Sequence, residues 1–288
     1  MKKGKATLLI LAVIIALSGL YIGMKFIFSK GEKNLSEASA VSEDQLANEK
    51  SNNDRYHNIY INDKKDITIE DVEEVFLNCT TTNISIVDSD KENIEVHLVG
   101  NTKVKSYDYA PRLNIDKSNG KVEINEVTDN NSTGLINIGQ ELSIELKIPR
   151  NYSNKLYVNN FLGDINISSS NESLEYLSIE AEEGNINVKD IKPKQVVIVD
   201  KAGNTELQNI GGKISVDSYL GDIKASNLEA NGNVYLKVNK GNVETELLKD
   251  TYKVVAKSSK GKVKIENYKP DSELLLDIQV NEGDINVR

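Results

Sequence analysis

A glycine that recurs about every 20 residues constrains the fold of this chain more than any other feature. Seven such glycines are separated by 21, 19, 18, 20, 20 and 22 residues, and each is followed by a polar residue and then by aliphatic ones in most copies. A fixed period of this length is typical of repeat architectures, in which each repeat packs against its neighbours. The glycines are Gly163, Gly184, Gly203, Gly221, Gly241, Gly261 and Gly283.

Apolar residues flank each glycine at fixed distances. They stand seven and five residues before it and two and four after it, and 24 of these 28 positions hold Ile, Leu or Val. A spacing of two is the period of a β-strand, so each repeat predicts two short strands. The glycine between them suits a tight turn, and the Asp or Asn that follows it can hydrogen-bond nearby backbone. The four exceptions are Thr205, Ala225, Thr245 and Ala256.

Two short strands cannot bury a core by themselves, so the repeats are expected to stack on one another. The predicted fold is all-β, with a parallel β-solenoid of about seven two-stranded coils over residues 151–288. At about 4.8 Å per coil, the rod would be roughly 30 Å long. The column three residues before each glycine, from Asn160 to Val280, is mostly small or polar and is expected near a turn rather than in the dry core.

Residues 55–150 alternate apolar and polar residues less regularly and predict an N-terminal β cap, a sheet that caps and continues the solenoid. Strands are expected around Ile67–Ile69, Ile84–Val87, Ile94–Leu98, Val122–Ile124 and Leu142–Ile148. The polar segment 88–93 is interpreted as a hairpin loop between the second and third of these strands. A solenoid end is an exposed strand edge, and the uncovered end is expected where the sequence stops, at Arg288.

Residues 1–28 predict a cytoplasmic tail and one transmembrane helix. Lys2, Lys3 and Lys5 precede an apolar run over residues 6–24, long enough to cross a bilayer as a helix. An uncleaved anchor is favoured over a removed signal peptide, because the nearest small-residue pattern, at 38–40, lies well beyond the run. Residues 29–54 are polar and predict a flexible linker. A short basic tail usually stays in the cytoplasm, which places the domain outside the cell membrane.

The composition argues against several functions. The net charge is −9 and no basic block follows the first five residues, so nucleic acid is not expected as a partner. The single cysteine, Cys79, lies in an apolar stretch and is interpreted as a buried residue rather than a reactive one. His57 and His97 are interpreted as strand-surface residues, and neither a cofactor nor a metal site is predicted.

Catalysis is not expected either. Solenoid enzymes that cleave glycans need clustered carboxylates together with a basic group, and residues 156–287 contain no Arg, His or Cys. Asp164, Asp222 and Asp284 share the position after the glycine, but Asn or Lys262 holds that position in the other repeats. Turn capping explains the whole column, whereas a catalytic role would explain three of its members.

A binding face is the functional site that the sequence favours. Two outward columns of the first strands contain apolar residues where water is expected, and exposed apolar patches often contact partners. The alternative interpretation is that β-branched and aromatic residues simply favour strands. The candidate face comprises Tyr157, Val197, Val199, Tyr235, Lys237, Val255 and Lys257.

The segment from Ile67 to Arg288 resembles a bacterial domain family whose members are labelled putative adhesins of unknown function. The resemblance rests on Asn83-Ile84-Ser85-Ile86 leading to Leu98-Val99-Gly100, the strand from Leu142 to Pro149, Tyr152 with Leu156 and Val158, and the Gly-Asp-Ile repeats. The family includes the membrane-anchored member of the Lia cell-envelope-stress operon. The resemblance implies a β-solenoid in a cell-envelope setting and supplies no catalytic residues.

Three functions remain open from the sequence. The first is a membrane-anchored module that binds an envelope protein or glycan, in adhesion or as an accessory to envelope-stress sensing. The second is a structural envelope scaffold without a specific ligand. The third, and least favoured, is a glycan-active enzyme.

Overall fold

The computed structural model describes residues 56–127, 141–229, 231–247, 251–266 and 268–288. Within these residues the chain is all-β apart from one 3-10 turn, Tyr107–Tyr109. The strands are β1 (His57–Thr68), β2 (Glu74–Cys79), β3 (Asn83–Ser89), β4 (Asn93–Val104), β5 (Arg112–Ser118), β6 (Lys121–Val127), β7 (Glu141–Pro149), β8 (Lys155–Leu162), β9 (Ile165–Ser168), β10 (Tyr176–Glu183), β11 (Ile186–Lys189), β12 (Gln195–Ala202), β13 (Thr205–Gln208), β14 (Lys213–Leu220), β15 (Ile223–Ser226), β16 (Val234–Lys240), β17 (Val243–Glu246), β18 (Lys253–Lys260), β19 (Val263–Ile265), β20 (Leu275–Glu282) and β21 (Ile285–Val287).

The strands form two sheets that bury one shared core. The eleven-stranded sheet has the order β1-β4-β7-β3-β9-β11-β13-β15-β17-β21-β19, and the ten-stranded sheet has the order β18-β20-β16-β14-β12-β10-β8-β2-β6-β5. One strand from each sheet makes a coil, as β8 and β9 do on either side of Gly163. Neighbouring coils pair in parallel, which confirms the predicted all-β fold of repeated parallel strands.

The aliphatic columns point inward as the repeat predicts. Of the 28 positions defined by the glycine period, 24 are buried. The four that are not fully buried, Val254, Ala256, Val263 and Ile265, all belong to the β18/β19 coil. Their exposure shows that this coil lies at an end of the stack, where the next layer of side chains is missing.

The predicted position of the open end, at Arg288, is wrong. The last coil in the sequence, β20/β21, lies between β16/β17 and β18/β19 and pairs in parallel with both. The β18/β19 coil therefore ends the rod although it precedes β20/β21 in the chain. The nine residues between Ile265 and Leu275 allow the chain to step back over one layer.

The cap region continues the solenoid. The β2/β3 coil pairs in parallel with β8/β9, and the β6/β7 coil pairs with the other edges of β2 and β3. Nine coils therefore lie within the described residues, where the glycine pattern counts about seven. At this end, too, the outermost coil is the second in sequence. Beyond it, β1, β4 and β5 add antiparallel edges.

The predicted hairpin between the strands at Ile84–Val87 and Ile94–Leu98 is wrong. These strands lie in β3 and β4, which do not pair, because β7 lies between them in the sheet. β7 pairs in parallel with β3 and antiparallel with β4. The turn through Asp88–Asn93 therefore carries the chain over a strand that it reaches some 50 residues later.

Six of the seven residues in the column three before the glycine are buried, contrary to their expected place outside the dry core, and Ser258 in the end coil is partly buried. Asn160, Ala181, Asp200 and Ser218 are each at most 4% exposed. They face inward beside the turn, where a small or hydrogen-bonding side chain fits against the backbone of the neighbouring layer.

The predicted transmembrane segment and linker, residues 1–28 and 29–54, lie outside the described residues. No helix with the length and hydropathy needed to cross a membrane occurs among the residues that are described.

Candidate functional site

The residues that follow the turn glycines form a continuous hydrogen-bonded ladder along the rod. In each layer the side-chain oxygen of an Asp or Asn accepts a hydrogen bond from the backbone N–H at the same position one layer further on. Asn185 N–H donates to Asp164 Oδ1 at 2.8 Å, and Asn204 N–H donates to Asn185 Oδ1 at 3.1 Å. The same bond joins Asp222 to Asn204, Asn242 to Asp222, Asp284 to Asn242 and Lys262 to Asp284.

The residues at the two ends of the ladder differ from the others, and their positions explain why. It starts at Asn83, whose Oδ1 accepts from Asp164 N–H at 2.9 Å, although Thr82 rather than glycine precedes it. It ends at Lys262, whose side chain has no acceptor. Lys262 lies in the outermost coil, so no further N–H needs one there. A lysine in this column is a sequence signal of the open end.

The glycines are required because the turns stack backbone against backbone. At Gly221 φ is 137°, and a Cβ would lie 1.7 Å from the carbonyl oxygen of Gly203. Positive φ also occurs at Gly163, Gly184, Gly241 and Gly283. Each of the seven repeat glycines, including Gly203 and Gly261, lies between the two strands of one coil.

A shallow groove runs beside this ladder on the outer surface of the eleven-stranded sheet. Its volume is about 530 Å³ and it extends over five coils, from Asp164 to Glu244. The walls are the ladder and the next outward column, which includes Asn187, Glu206 and Lys224. Four carboxylates and one ammonium group line it (Asp164, Glu206, Asp222, Glu244 and Lys224), so the groove is net acidic.

The groove chemistry suits binding by hydrogen bonds. Each ladder oxygen that accepts from the next layer is committed to the fold, and the amide groups of Asn185 and Asn242 also donate to Asp164 Oδ1 and Asp222 Oδ1, at 3.1 and 3.2 Å. The second carboxylate oxygens of Asp164 and Asp222 take no part in these bonds. Side chains stand in register along the groove, as Asn187 does with Asn166, to whose Oδ1 it donates at 3.0 Å. Amides and carboxylates repeated about every 4.8 Å present alternating donors and acceptors to an extended ligand.

The sequence-predicted binding face lies on the other sheet. Val197, Val199, Tyr235 and Lys237 lie on the outer surface of the ten-stranded sheet, spread over three consecutive coils, with Ser215 and Asp217 between them. Lys237 Nζ pairs with Asp217 Oδ2 at 2.7 Å. Tyr157 lies two coils away from Val197, beyond Ser178.

Two members of that face are further away than their repeat positions suggest. Val255 and Lys257 do not adjoin Tyr235 and Lys237, because Asp277 and Gln279 of the inserted coil lie between them. Val255 is 47% exposed and belongs to the end of the rod. The structure thus brings four of the seven candidate residues close together and separates the other three.

An aromatic stack beside Tyr157 was missed by sequence reasoning. Phe76 and Tyr157 stack with their centroids 4.2 Å apart and their planes at 3°, and Tyr176 lies 5.5 Å from Tyr157. Lys121 Nζ covers the other side of Phe76 at 4.1 Å. The ring faces contact each other and the ammonium group, so mainly ring edges are left for a ligand. Phe76 lies outside the glycine period, which is why the repeat did not reveal the stack.

The inward face contains one buried acid. Asp200 is 1% exposed, and its Oδ2 accepts a hydrogen bond from Thr205 Oγ1 at 3.0 Å, whereas its Oδ1 has no partner among the described residues. Burial raises the pKa of Asp200 to about 6, against the opposing effect of the Thr205 hydrogen bond. This residue faces the core and contacts neither outer surface.

The remaining sequence-predicted residues are placed as follows. Cys79 is buried, as predicted, and desolvation raises the pKa of its thiol well above the usual range. His97 shares a 2.7 Å hydrogen bond between its Nε2 and Asn62 Oδ1, and His57 stacks on Tyr107. Both histidines lie on strand surfaces. Across the described ranges, no three His, Cys, Asp or Glu side chains are grouped as metal ligands.

Two solved structures to which this chain is distantly similar are described as a putative cell adhesion protein and a putative adhesin. A putative cell adhesion protein from Clostridium sporogenes matches with a TM-score of 0.40 and 12% identity, over 79% of this chain and 98% of that one. A putative adhesin from Bacteroides fragilis matches with a TM-score of 0.39 and 10% identity, over 78% of this chain and 96% of that one. No curated protein matches this chain.

A protein-family model matches most of the described structure. The model described as Toastrack DUF4097 matches residues 72–175 and again residues 162–288. The two matches together run from the start of the β2/β3 coil to the last residue and include the whole ladder. This chain belongs to the Toastrack DUF4097 family.

Proposed function

We propose that this chain is a non-catalytic binding module of the bacterial cell envelope, and that its ligand is an extended glycan. The groove beside the Asp/Asn ladder is the observation that carries this proposal. It offers a row of amide and carboxylate groups, and these are the groups that hydrogen-bond sugar hydroxyls. The layer spacing of about 4.8 Å is close to the length of one sugar ring, so successive sugars can meet equivalent side chains.

The charge of the groove narrows the class of glycan. Four carboxylates face Lys224 and Arg288, whose guanidinium pairs with Glu244, so the groove stays net negative and repels phosphate-rich and uronic-acid polymers. A neutral glycan, or one that carries free amino groups, is the better ligand. A row of equivalent weak contacts along the rod also fits adhesion, because several such contacts made at once raise the overall affinity.

The cell-envelope location is part of the proposal. It rests on the apolar run 6–24, which predicts a single-pass anchor, and on the polar linker 29–54, which would hold the solenoid away from the bilayer outside the cell.

The flat face of the ten-stranded sheet supports a second candidate, a protein partner. Val197 and Val199 present aliphatic groups within a parallel sheet and are only partly buried, and Tyr235 lies two coils along from them. Partly exposed aliphatic and aromatic residues are typical of protein interfaces rather than of glycan grooves. If the protein is only a structural scaffold, neither surface binds a specific ligand.

Co-sedimentation of the purified full-length chain with insoluble envelope polysaccharide tests the proposal. The double variant Asn187→Ala with Glu206→Ala should reduce the bound fraction, because it removes hydrogen-bonding groups from the centre of the groove. The double variant Val199→Lys with Tyr235→Lys, on the opposite sheet, is the matched control and should sediment like wild type.

The other possible outcomes would favour a different binding site or a different function. Loss of sedimentation only in the Val199 and Tyr235 variant would move the site to the flat face. An absence of sedimentation by wild type would remove the glycan proposal and leave the protein partner and the scaffold. Release of soluble sugar during the incubation would revive the enzyme alternative.

A further inference from the structure

The open end of the rod leaves two strands without a neighbour. β18 is the last strand of the ten-stranded sheet and β19 is the last strand of the eleven-stranded sheet, at the same end of the molecule. On their outer sides neither strand pairs with any residue that the structure describes. Such an edge is a template to which another strand can add.

The backbone of β18 is arranged to accept that strand. Lys253 N–H donates inward, to the carbonyl oxygen of Leu274 at 2.8 Å. Successive residues of a strand point their N–H groups to opposite sides. The N–H groups of Val254 and Ala256 therefore point to the open side, together with their carbonyl groups.

The core is also unfinished at this end. Val263 is 42% exposed, whereas Val243, at the same position of its coil, is 1% exposed. Val254, Ala256 and Ile265 are partly exposed as well. An added strand with aliphatic residues at alternate positions would cover them and bury apolar surface.

The charge of the end is opposite to that of the protein. The β18/β19 coil carries five lysines and Glu266 follows it, which makes residues 253–266 net +4 in a chain of net −9. Lys260 pairs with Glu282 and Lys264 with Glu266. Lys253, Lys257 and Lys262 form no ion pair with the described residues. The five lysines are Lys253, Lys257, Lys260, Lys262 and Lys264.

We propose that this end binds an extended acidic peptide, with alternating aliphatic and acidic residues, which adds as a strand beside β18. The aliphatic side chains cover the open core and the acidic ones pair with the free lysines. Lysines on an edge strand repel basic strands, and they disfavour neutral ones because the ammonium groups would lose water without gaining a partner. An acidic strand supplies that partner. This site lies at the tip of the rod and goes beyond the proposed glycan groove.

A second copy of the chain is a poorer occupant. Two such ends would bring ten lysines together, so end-to-end pairing is repulsive. The opposite end of the rod offers no acidic edge strand among the described residues: β1 carries two Asp and two Lys, which balance, and β5 is net positive. Anionic lipids or polyphosphate would satisfy the lysines but have no backbone amides to pair with the edge.

Fluorescence anisotropy with the full-length chain tests the proposal. The probe is a labelled eight-residue peptide of alternating Glu and Val, compared with a Lys-Val peptide and a scrambled Glu-Val peptide. The Glu-Val peptide should bind best, and its affinity should fall with added salt. Lys253→Glu with Lys257→Glu and Lys262→Glu should weaken binding by about tenfold or more. Lys103→Glu with Lys194→Glu and Lys213→Glu is the matched charge control, elsewhere on the rod, and should retain binding.

A second variant separates strand addition from simple attraction of charge. Ala256→Pro removes an N–H from the open edge, where proline is tolerated, and it should abolish peptide binding while the melting temperature stays near that of wild type. The proposal is overturned if Ala256→Pro binds normally or the scrambled peptide binds equally well. It is also overturned if polyphosphate, or vesicles of phosphatidylcholine and phosphatidylglycerol, bind the same lysines and displace the peptide equally from wild type and from Ala256→Pro. Salt-sensitive dimers of the protein alone, formed through this end, would overturn it too.

Discussion

The side chain of Asn242 accepts a hydrogen bond from the backbone N–H of Asp284, 42 residues later in the chain, at 2.9 Å. The next ladder position in sequence, Lys262, instead donates to Asp284 Oδ1 at 2.7 Å. These two bonds arise because the β20/β21 coil lies between β16/β17 and β18/β19 in the stack. They also explain why the ladder can contain one lysine: it stands at the only layer among the described coils that has no successor.

The ladder predicts different effects for equivalent positions. Asp222→Ala removes the oxygen that accepts Asn242 N–H, and it should lower the free energy of unfolding by about 1 kcal/mol, since the site is solvent-exposed and water compensates in part. Lys262→Ala removes no ladder bond and should change stability by less than about 0.5 kcal/mol. Urea denaturation of both variants checks this. An equal loss of unfolding free energy in the two variants would contradict the order of residues in the ladder.

Hydrogen exchange should follow the spatial order of the coils rather than the sequence. Residues 275–287 have neighbours on both sides, whereas residues 253–265 have one. We expect amides in the first segment to exchange more slowly by roughly tenfold or more, although they lie nearer the end of the chain. Exchange measured by mass spectrometry on peptides from the two segments decides the point, with β14 as a central reference. Faster exchange in residues 275–287 would favour stacking in chain order.

Stability should fall as the pH rises past the pKa of Asp200. Its pKa of about 6 in the folded state lies above the ordinary value of about 3.9, so the folded state holds the proton more tightly. The stabilising effect is complete below about pH 4 and is lost between about pH 4 and 6, in total about 3 kcal/mol. Above that range the folded protein holds a buried charge.

Asp200→Asn should remove this pH dependence. The amide oxygen can still accept from Thr205 Oγ1, and the side chain is neutral at every pH. The variant should therefore be more stable than wild type at pH 7.5 and similar to it at pH 4, as measured by denaturant titrations across that range. Asp217→Asn, on the outer face one coil away, is the control. Parallel stability curves for wild type and Asp200→Asn would contradict the effect of burial.

The turn glycines differ from Gly211 in what they tolerate. Gly221→Ala places a Cβ 1.7 Å from a backbone oxygen at a φ of 137°, and should cost more than about 3 kcal/mol. At Gly211 the φ is ordinary and a Cβ would meet only side-chain atoms, the nearest at 3.1 Å. Gly211→Ala should cost about 1 kcal/mol or less. Thermal melts of the two variants test the difference.

The repeat determined most of the local structure because its signals are local. A spacing of two between Leu156 and Val158, and again between Ile165 and Ile167, is enough to predict two strands with one buried face. The turn between them follows from Gly163 and Asp164. The candidate site was harder to predict. The predicted face lies on the outer surface of one sheet, whereas the groove beside the ladder depends on how both sheets meet at the turn.

The order of the coils was decided by the tertiary structure. Hydrogen bonds between parallel strands join backbone groups and carry almost no sequence information, and every coil offers similar aliphatic columns to its neighbours. The sequence therefore determined that coils form and stack. Which coils become neighbours depends on the length of the connection between them and on which coil can expose its outer edge to water. The lysine-rich β18/β19 coil can face water at its outer edge, and the apolar coil that contains Ile278 and Ile285 is better buried between two others.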